Sequence, residues 1–348
     1  MLGQAGHRHI PKAVVLKPCL PGGERGVLFI SFEYQWARLL NVANLDEFAS
    51  EYTIVVSPTW NPPHCLVNLL FPVLYPDSIF CLISHQKDLA TFPNLSSKYR
   101  MVPLLASNWV NSALYCPRQK SDRDIDIVVL SNFGAYKRHF VLFAALQHLP
   151  KTLRVVLIGT HHGSRTRETI LDEARLYGVA DRIEVLQGIT DAEVNDCLSR
   201  ARISLILSKR EGSCVAVVES MFADTPVGLI QGAHIGSARY VDEATGCFLS
   251  EENLAGDIMA LLEKSHEMHP REQVLADGID FAGSTTILND LLQRSALLNG
   301  RPWTRNIAPH HWRPDPQLLD AESKNMERDE LARIKARYGL TLGKHTAG

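Results

Sequence analysis

The sequence predicts an α/β protein built from two Rossmann-like domains. Its 348 residues correspond to about two domains of ordinary size. Short apolar runs recur about every 20–25 residues, and stretches with helical periodicity separate them. This alternation is typical of strand–helix–strand crossovers in a parallel sheet. We expect an N-terminal domain over residues 1–116, a polar linker over 117–124, a C-terminal domain over 125–298, and a tail over 299–348 that ends in a charged helix.

Composition and charge exclude several classes of protein. The 36 Lys and Arg residues nearly balance the 38 Asp and Glu residues, so general electrostatic binding of nucleic acid is not expected. No apolar run approaches the ~20 residues of a membrane helix, and the first residues lack a secretory apolar core. We therefore expect a cytoplasmic protein. Seven scattered cysteines and the lack of C-x-x-C or H-E-x-x-H spacing argue against disulfides and against those types of metal site.

Apolar runs in the N-terminal half predict a small sheet. Ala13–Leu16 predicts an edge strand. Four further strands are expected at Val27–Phe32, Thr53–Ser57, Ser78–Ser84 and Met101–Ala106. The apolar stretch Leu66–Tyr75 contains Pro72 and has two interpretations, a surface that touches a lipid-linked acceptor or ordinary buried packing.

The alternation is clearest after the linker. The predicted strands are Ile125–Leu130, Leu153–Ile158, Ile183–Leu186, Ile203–Leu207, Val227–Ile230 and Cys247–Leu249. The predicted helices are Arg138–His148, Thr166–Tyr177, Asp191–Arg200, Cys214–Ala223 and Glu251–Lys264. Open sheets of this class bind ligands at the carboxyl ends of their strands, so the loops that open these helices are the candidate site.

One such loop carries the residues with the most chemistry. Gly212 lets the backbone approach a ligand, and the helix start after it offers free amides to an anion. Glu211 and Glu219 are eight residues apart, about two helical turns, so both project towards one end of the site. Carboxylates bind vicinal diols, which suggests a nucleotide sugar. The alternative is that both are ordinary helix-surface acids.

The same segment resembles the signature of a known family. Glu211–Val215 and Glu219–Val227 resemble the pattern EGFGxxxxEAMAxGxPVV of family 4 glycosyltransferases, a retaining group with the GT-B fold. Further similar elements follow the family's order over about residues 124–264: Val156–Gly159, Asp181–Ile183 with Gly188, and Thr245–Gly246. The resemblance implies two Rossmann-like domains that face each other across a cleft, with the donor held mainly by the second.

The resemblance also implies roles for individual residues. Glu219 would bind the donor ribose, Glu211 would face the donor sugar, and Lys137 would neutralise the leaving diphosphate. The diphosphate would be held by backbone groups of Gly212, Ser213, Cys214 and Val215. The nucleobase would be flanked by the backbone of Gly188 and Ile189.

The sequence departs from the family at two site positions. Asn132 stands where the family has an arginine, and Cys214 stands where it has a second glycine. We predict that Arg138, which follows Lys137 directly, takes part of the missing arginine's role because its planar fork suits a phosphate. The alternative is that Arg138 points to solvent.

Two further motifs contain residue types that could belong to a binding site. His85 ends a strand as a family histidine does at the interdomain cleft, where it would contact the transferred sugar; otherwise it is an ordinary loop histidine. Asp124-Ile125-Asp126 is a D-x-D, but it begins a strand, which is the wrong end for a ligand. No metal site is expected.

The resemblance implies a glycosyltransferase that moves a sugar from a nucleoside diphosphate to a hydroxyl with retention. No metal is expected to be needed, because Lys137 and the helix amides supply the counter-charge. The expected partners are the nucleotide sugar and a sugar or lipid-linked acceptor, with peripheral membrane contact. The alternatives are a nucleotide-sugar epimerase of the same fold and a non-catalytic protein that keeps the fold.

Overall fold

The computed structural model describes residues 8–312 and 316–343, and the chain divides into two compact units. One unit combines the residues up to Val110 with those from Asp280 onward, and the other spans Asn111–Ile279. This division differs from the predicted boundaries at 116, 124 and 298. Residues 280–298 were assigned to the C-terminal domain, but they pack with the N-terminal unit.

The first part of unit 1 forms a five-stranded sheet. Its elements are β1 (His9–Ile10), β2 (Ala13–Lys17), β3 (Gly26–Ser31), α1 (Glu33–Trp36), α2 (Leu45–Glu51), β4 (Tyr52–Ser57), α3 (Leu66–Leu74), β5 (Ile79–Leu82), α4 (Asp88–Leu95) and β6 (Tyr99–Val102). The sheet order is β2-β3-β4-β5-β6, with β2 antiparallel at the edge and the rest parallel. All five predicted strands are present, although β6 begins two residues earlier than expected.

Unit 2 is a six-stranded parallel sheet. Its elements are β7 (Ile125–Leu130), α5 (His139–Leu146), β8 (Val155–Gly159), α6 (Arg167–Leu176), β9 (Ile183–Gln187), α7 (Asp191–Arg200), β10 (Ala201–Ile206), α8 (Val215–Phe222), β11 (Val227–Ile230), β12 (Gly246–Leu249), α9 (Leu254–Lys264) and α10 (Pro270–Ala276). The order is β9-β8-β7-β10-β11-β12. This is the doubly wound Rossmann order, and it reverses between β7 and β10.

The last part of the chain returns to unit 1. It contains α11 (Phe281–Leu298), β13 (His310–Trp312), β14 (Pro316–Leu318), α12 (Ala321–Tyr338) and β15 (Thr341–Leu342). The predicted charged terminal helix is therefore present as α12. Short strand β15 pairs in parallel with β1.

The strand order of unit 1 explains why the C-terminal part of the chain packs against its sheet. Strands β3 to β6 follow one another in one direction, so their right-handed crossovers place α1 to α4 on one face of the sheet. Leu28, Ile30 and Ile54 pack against that face, whereas the alternate residues Phe29 and Val55 point to the other. Leu288 and Leu292 of α11 cover this second face. The boundary predicted at 298 is wrong because the apolar side of α11 buries itself on a sheet about 200 residues away in sequence.

The Leu66–Tyr75 stretch folds mainly as helix α3, which is buried on one side only. Phe71, Pro72 and Tyr75 are buried, but one face of α3 is exposed. None of the helices in the described part of the chain has the length and hydrophobicity that a bilayer crossing requires.

Candidate active site

The loops after β7 and β10 bring a lysine and a glutamate together. The strand order of unit 2 reverses between these strands, and sheets of this class bind ligands at the carboxyl ends of the strands at such a reversal. Lys137 lies in the loop after β7 and Glu211 in the loop after β10. The Nζ of Lys137 donates a hydrogen bond of 2.7 Å to Oε2 of Glu211. Two residues that the sequence analysis placed in the site are thus in direct contact.

This ion pair is largely shielded from water. Both side chains are about 11% exposed. Burial alone lowers the pKa of Lys137, but the nearby Glu211 carboxylate outweighs it, so that the pKa lies above its ordinary value. The other oxygen of Glu211 accepts a hydrogen bond of 2.5 Å from Ser208. Lys137 therefore remains a cation at neutral pH, held at the carboxyl edge of the sheet.

The loop that carries Glu211 is fixed by a second backbone segment. The amide of Glu211 donates to the carbonyl of His234 at 3.0 Å, and the amide of Gly236 donates to the carbonyl of Gly212 at 2.7 Å. The hydroxyl of Ser237 donates to the carbonyl of Cys214 at 3.1 Å. These contacts hold the loop in a defined shape before any ligand binds.

Helix α8 begins with an uncapped turn next to this loop. Cys214 is its N-cap, with φ of 50° in the left-handed region, and no side chain caps the helix. The family signature has glycine at this position, and glycine adopts such a conformation without strain. The first-turn amides, including that of Val215, are suited to an anion at the positive end of the helix.

Glu219 projects from the same helix. It is partly buried, and its Oε1 accepts a hydrogen bond of 2.7 Å from the hydroxyl of Tyr115. Burial raises the pKa of the Glu219 carboxyl above its ordinary value, and the Tyr115 hydrogen bond opposes this rise. The carboxylate is thus oriented by one partner and keeps its second oxygen for another.

Gly188 and Ile189 follow β9 at the same edge of the sheet. Gly188 has φ of +68°, and a Cβ at this position would meet nothing within 4 Å. Its amide donates to the carbonyl of Gly159 at the end of β8, at 3.0 Å. The structure places both residues at the carboxyl edge, as the sequence analysis expected for residues that flank a ligand.

Asn132 shapes the loop that carries Lys137. Its side-chain amide donates to the Tyr136 hydroxyl at 2.7 Å, and its carbonyl accepts from the amide of Gly134 at 2.9 Å. The Tyr136 ring lies 5.3 Å from Nζ of Lys137. Asn132, which replaces the family arginine, therefore stabilises the conformation of this loop and contributes no charge.

Arg138 is held by an acid that the sequence analysis did not consider. Its Nη atoms donate to the two oxygens of Glu251 at 3.0 and 2.5 Å, and Nη1 also donates to the carbonyl of Leu207 at 3.2 Å. Lys209 contacts the same carboxylate at 2.9 Å, and the pKa of Glu251 is about 2, mainly because Arg138 binds its charged form. Arg138 does not point freely to solvent, and a phosphate would compete with Glu251 for its guanidinium.

The D-x-D motif forms ion pairs at the amino edge of the sheet. Asp124 binds Arg200 at 2.7 Å and also Arg154, and Asp126 binds Arg202 at 2.8 Å. Within residues 8–312 and 316–343, no group of three or more His, Cys, Asp and Glu side chains is arranged to hold a metal ion.

His85 lies in unit 1, after β5. Oδ2 of Asp88 accepts hydrogen bonds from the amides of Ser84 and His85, at 2.8 and 2.9 Å. The amide of Lys87 donates to Nδ1 of His85 at 3.3 Å. These contacts place the partly buried imidazole at the carboxyl edge of the unit 1 sheet.

Four residues of the site were not found by sequence reasoning: Ser208, Tyr115, Tyr136 and Glu251. Ser208 and Tyr136 lie within three residues of Glu211 and Lys137, so the loops themselves carried a signal. Tyr115 and Glu251 lie 104 and 113 residues from the side chains they bind. No local pattern marks such a pairing.

Comparison with known proteins gives one family and a set of structural neighbours. The sequence profile of the family described as glycosyl transferases group 1 matches residues 117–274. No curated protein matches the sequence.

Several solved structures share the fold. A sucrose-phosphate synthase from Thermosynechococcus elongatus has a TM-score of 0.61 at 17% identity, over 79% of this chain and 73% of that one. HepE from Anabaena, in complex with UDP and glucose, has a TM-score of 0.58 at 14% identity, over 78% of each chain. The lipopolysaccharide outer core galactosyltransferase WaaB has a TM-score of 0.52 at 13% identity, over 72% of this chain and 70% of that one. These likenesses show the GT-B fold that the sequence predicted.

Proposed function

We propose that the chain transfers a sugar from a nucleoside diphosphate sugar to an acceptor hydroxyl, and the match of residues 117–274 to glycosyl transferases group 1 supports this. The observation that carries the proposal is the Lys137–Glu211 ion pair at the reversal of strand order in unit 2. It sets one cation and one carboxylate beside the uncapped start of α8. The diphosphate and the transferred sugar are the two parts of such a donor that flank the bond to be broken, and each has a matching group here.

The donor is positioned from three directions. The first-turn amides of α8 bind the diphosphate, Glu219 accepts hydrogen bonds from the ribose hydroxyls, and the backbone at Gly188 and Ile189 flanks the base. Glu211 faces the transferred sugar. The structural neighbour HepE was crystallised with UDP and glucose, which makes UDP-glucose the first donor to test.

The protein contributes to the chemical step mainly by electrostatic stabilisation. The bond between the sugar carbon and the diphosphate oxygen breaks, and its electron pair leaves with the diphosphate. The acceptor oxygen forms the new bond to the sugar carbon, and its proton passes to the departing diphosphate. Negative charge grows on the leaving group, and preorganised positive groups lower the barrier most when they already point at that position. The α8 amides and Lys137, which is paired with Glu211, are such groups, and Arg138 joins them where the diphosphate competes with Glu251 for its guanidinium.

We propose that the reaction retains the anomeric configuration and needs no divalent ion. The Glu211-x7-Glu219 signature supports retention, since it is the pattern of a retaining family. The fixed cation supports metal independence, because Lys137 supplies charge where a metal ion would otherwise be required.

For the acceptor, we propose a sugar hydroxyl on a lipid-linked molecule. Helix α3 exposes an apolar stripe at i, i+3, i+4, i+7 and i+8: Leu66, Leu69, Leu70, Val73 and Leu74. No Asp, Glu, Lys or Arg occurs from Pro58 to Pro76, and Trp60 in this segment is 48% exposed. A neutral apolar helix with a neighbouring tryptophan is suited to the bilayer interface. His85 lies at the carboxyl edge of the sheet in the same unit.

The function is tested by incubating the full chain with UDP-glucose, and with other UDP sugars, in the presence and absence of candidate acceptors. Acceptor-dependent release of UDP with formation of a glycoside supports the proposal, and NMR of the product gives its anomeric configuration. Release of UDP and an altered sugar without an acceptor would indicate the epimerase. UDP binding without turnover for any donor and acceptor would indicate a non-catalytic protein.

The membrane proposal is tested by flotation with vesicles of neutral phosphatidylcholine. Because the segment has no charged side chain, we expect binding that changes little when anionic lipid is added. The double variant L70S/V73S should lose this binding. The matched control is Leu176→Ser in unit 2, a leucine that is 86% exposed. Binding that persists in the double variant, or mass measurements that show α3-dependent dimers, would overturn the proposal.

A further inference from the structure

The segment that precedes the first strand of unit 2 lies against α8 and is clamped there. Arg271 at the start of α10 donates from Nη1 to the carbonyl of Tyr115 at 2.5 Å and from Nη2 to the carbonyl of Ser112 at 3.2 Å. The same guanidinium also donates to the carbonyl of Phe222, the last residue of α8. One side chain therefore ties residues 112–115 to the end of the helix that carries Glu219.

This clamp fixes the position of the Tyr115 ring. Tyr115 is 5% exposed, so its side chain has little freedom. Its hydroxyl donates to Oε1 of Glu219 at 2.7 Å. Within the described ranges, this is the hydrogen bond that orients the Glu219 carboxylate. A carboxylate rotates easily about its last torsion, and one short hydrogen bond from a rigid phenol removes that freedom.

The arrangement also acts on the charge of Glu219. A ribose diol donates its hydrogen bonds to an ionised carboxylate, so Glu219 must lose its proton to bind strongly. Burial opposes this ionisation, and the Tyr115 hydroxyl favours it by binding the charged form. The guanidinium of Arg271 contacts backbone carbonyls of the same segment, and the ammonium of Lys137 is paired with Glu211.

We infer that Tyr115 is a positioning residue for nucleotide binding, which holds Oε1 of Glu219 so that the other oxygen meets the ribose. This inference rests on the proposed function, because it takes Glu219 as the ribose-binding carboxylate. Tyr115 touches no reacting atom. Its effect is on the orientation and ionisation of Glu219, and Arg271 supports it by holding the backbone of Tyr115.

The test compares the full-length protein with its Tyr115→Phe variant. The change removes one hydroxyl and keeps the ring, so the packing of residues 112–115 is preserved. UDP affinity is measured by calorimetry from pH 5 to pH 8, together with KM and kcat for the donor. The matched control is Tyr177→Phe, which makes the same change at a partly buried tyrosine of unit 2.

We expect UDP to bind about 10- to 30-fold more weakly to Tyr115→Phe at pH 7.5, within the range of a hydrogen bond to a charged group. The acid side of the affinity profile should move to higher pH, since Glu219 then ionises less readily. KM for the donor should rise by a similar factor while kcat changes less than about 3-fold. Tyr177→Phe should match the wild type.

Two other results would contradict the inference, and they differ in what they say about the proposed function. If wild-type protein binds UDP and Tyr115→Phe shows the same affinity and the same pH profile, Tyr115 only joins two segments and the inference is wrong, although the proposed function stands. A variant with lower melting temperature but an unmoved profile leads to the same conclusion. If the wild type binds no nucleoside diphosphate at all, the proposed function and the inference both fail.

Discussion

The ammonium group of Lys137 and the carboxylate of Glu211 lie 2.7 Å apart, although 74 residues separate them in sequence. Each follows the end of a parallel strand, and the two strands are neighbours at the reversal of strand order in unit 2. The pair is thus a direct product of the sheet topology. It also provides the cation on which the proposed chemistry depends.

Replacing Lys137 with alanine should remove most of the transfer activity. The leaving diphosphate would lose its fixed cation, so we expect kcat/KM to fall about 100-fold or more, which corresponds to about 2.7 kcal/mol. Steady-state kinetics with UDP-glucose measures the loss, and a melting curve shows that the fold is kept. Lys151→Ala, an exposed lysine of the same unit, is the control. A loss below about 3-fold would remove Lys137 from the mechanism.

Replacing Glu219 with alanine should weaken nucleotide binding. A charge-assisted hydrogen bond contributes about 1.5–3 kcal/mol, so we expect the UDP dissociation constant to rise about 10- to 150-fold. Calorimetric titration with UDP checks this value. Glu263→Ala, at an exposed glutamate of α9, should leave the affinity unchanged. Equal affinities for wild type and Glu219→Ala would place the ribose elsewhere.

Arg138 offers a test of whether an ion pair opens when the donor binds. Because Glu251 holds the guanidinium by two hydrogen bonds, we expect Arg138→Ala to lower kcat/KM less than Lys137→Ala does, by under about 10-fold. Parallel kinetics of the two variants measure the difference. A loss of about 100-fold would mean that Arg138 leaves Glu251 and takes over the role of the arginine that Asn132 replaces.

Chelation of divalent ions should have little effect on activity. The counter-charges that we assign belong to Lys137 and to the amides of α8, and EDTA removes neither. We expect at least half of the initial rate to remain after dialysis against EDTA. Complete loss of activity that Mg²⁺ or Mn²⁺ restores would show that a metal ion takes part.

Glu327 should make the stability of unit 1 depend on pH. Burial raises the pKa of this α12 carboxyl to about 7, although the amide of Val15 donates to it at 3.2 Å. A raised carboxyl pKa means that the folded state holds the proton, so stability is full below the unfolded pKa of about 4.3 and falls as pH rises towards 7.

Glu327→Gln should remove this dependence. Relative to the wild type, the variant should gain about 1–3 kcal/mol of unfolding free energy between pH 5 and pH 8. Chemical denaturation at several pH values measures the gain. The control is Glu322→Gln on the same helix, where the side chain is 89% exposed. Parallel pH profiles for Glu327→Gln and wild type would contradict the assignment.

Some features followed from short stretches of sequence. Most strands of unit 2 are rich in apolar residues and lie between helices, because a parallel sheet covered on both faces needs apolar side chains on both. Glu211, Gly212 and Glu219 belong to one contiguous loop and helix, so their spacing carried the site. The role of Lys137 came from the resemblance to the family, and the alternation of strands and helices placed it in a loop after a strand.

The sequence by itself therefore determined the alternation of elements, the strand ends where a ligand binds, and the acids and lysine that stand there. Only the tertiary structure decided that α11 covers the open face of the unit 1 sheet, that Glu251 holds Arg138, and that Tyr115 orients Glu219. The first group depends on periodicity and spacing within a few residues. The second depends on side chains that meet across about 100 or more residues, and such contacts leave no periodic trace in the chain because only the packing of finished elements brings them together.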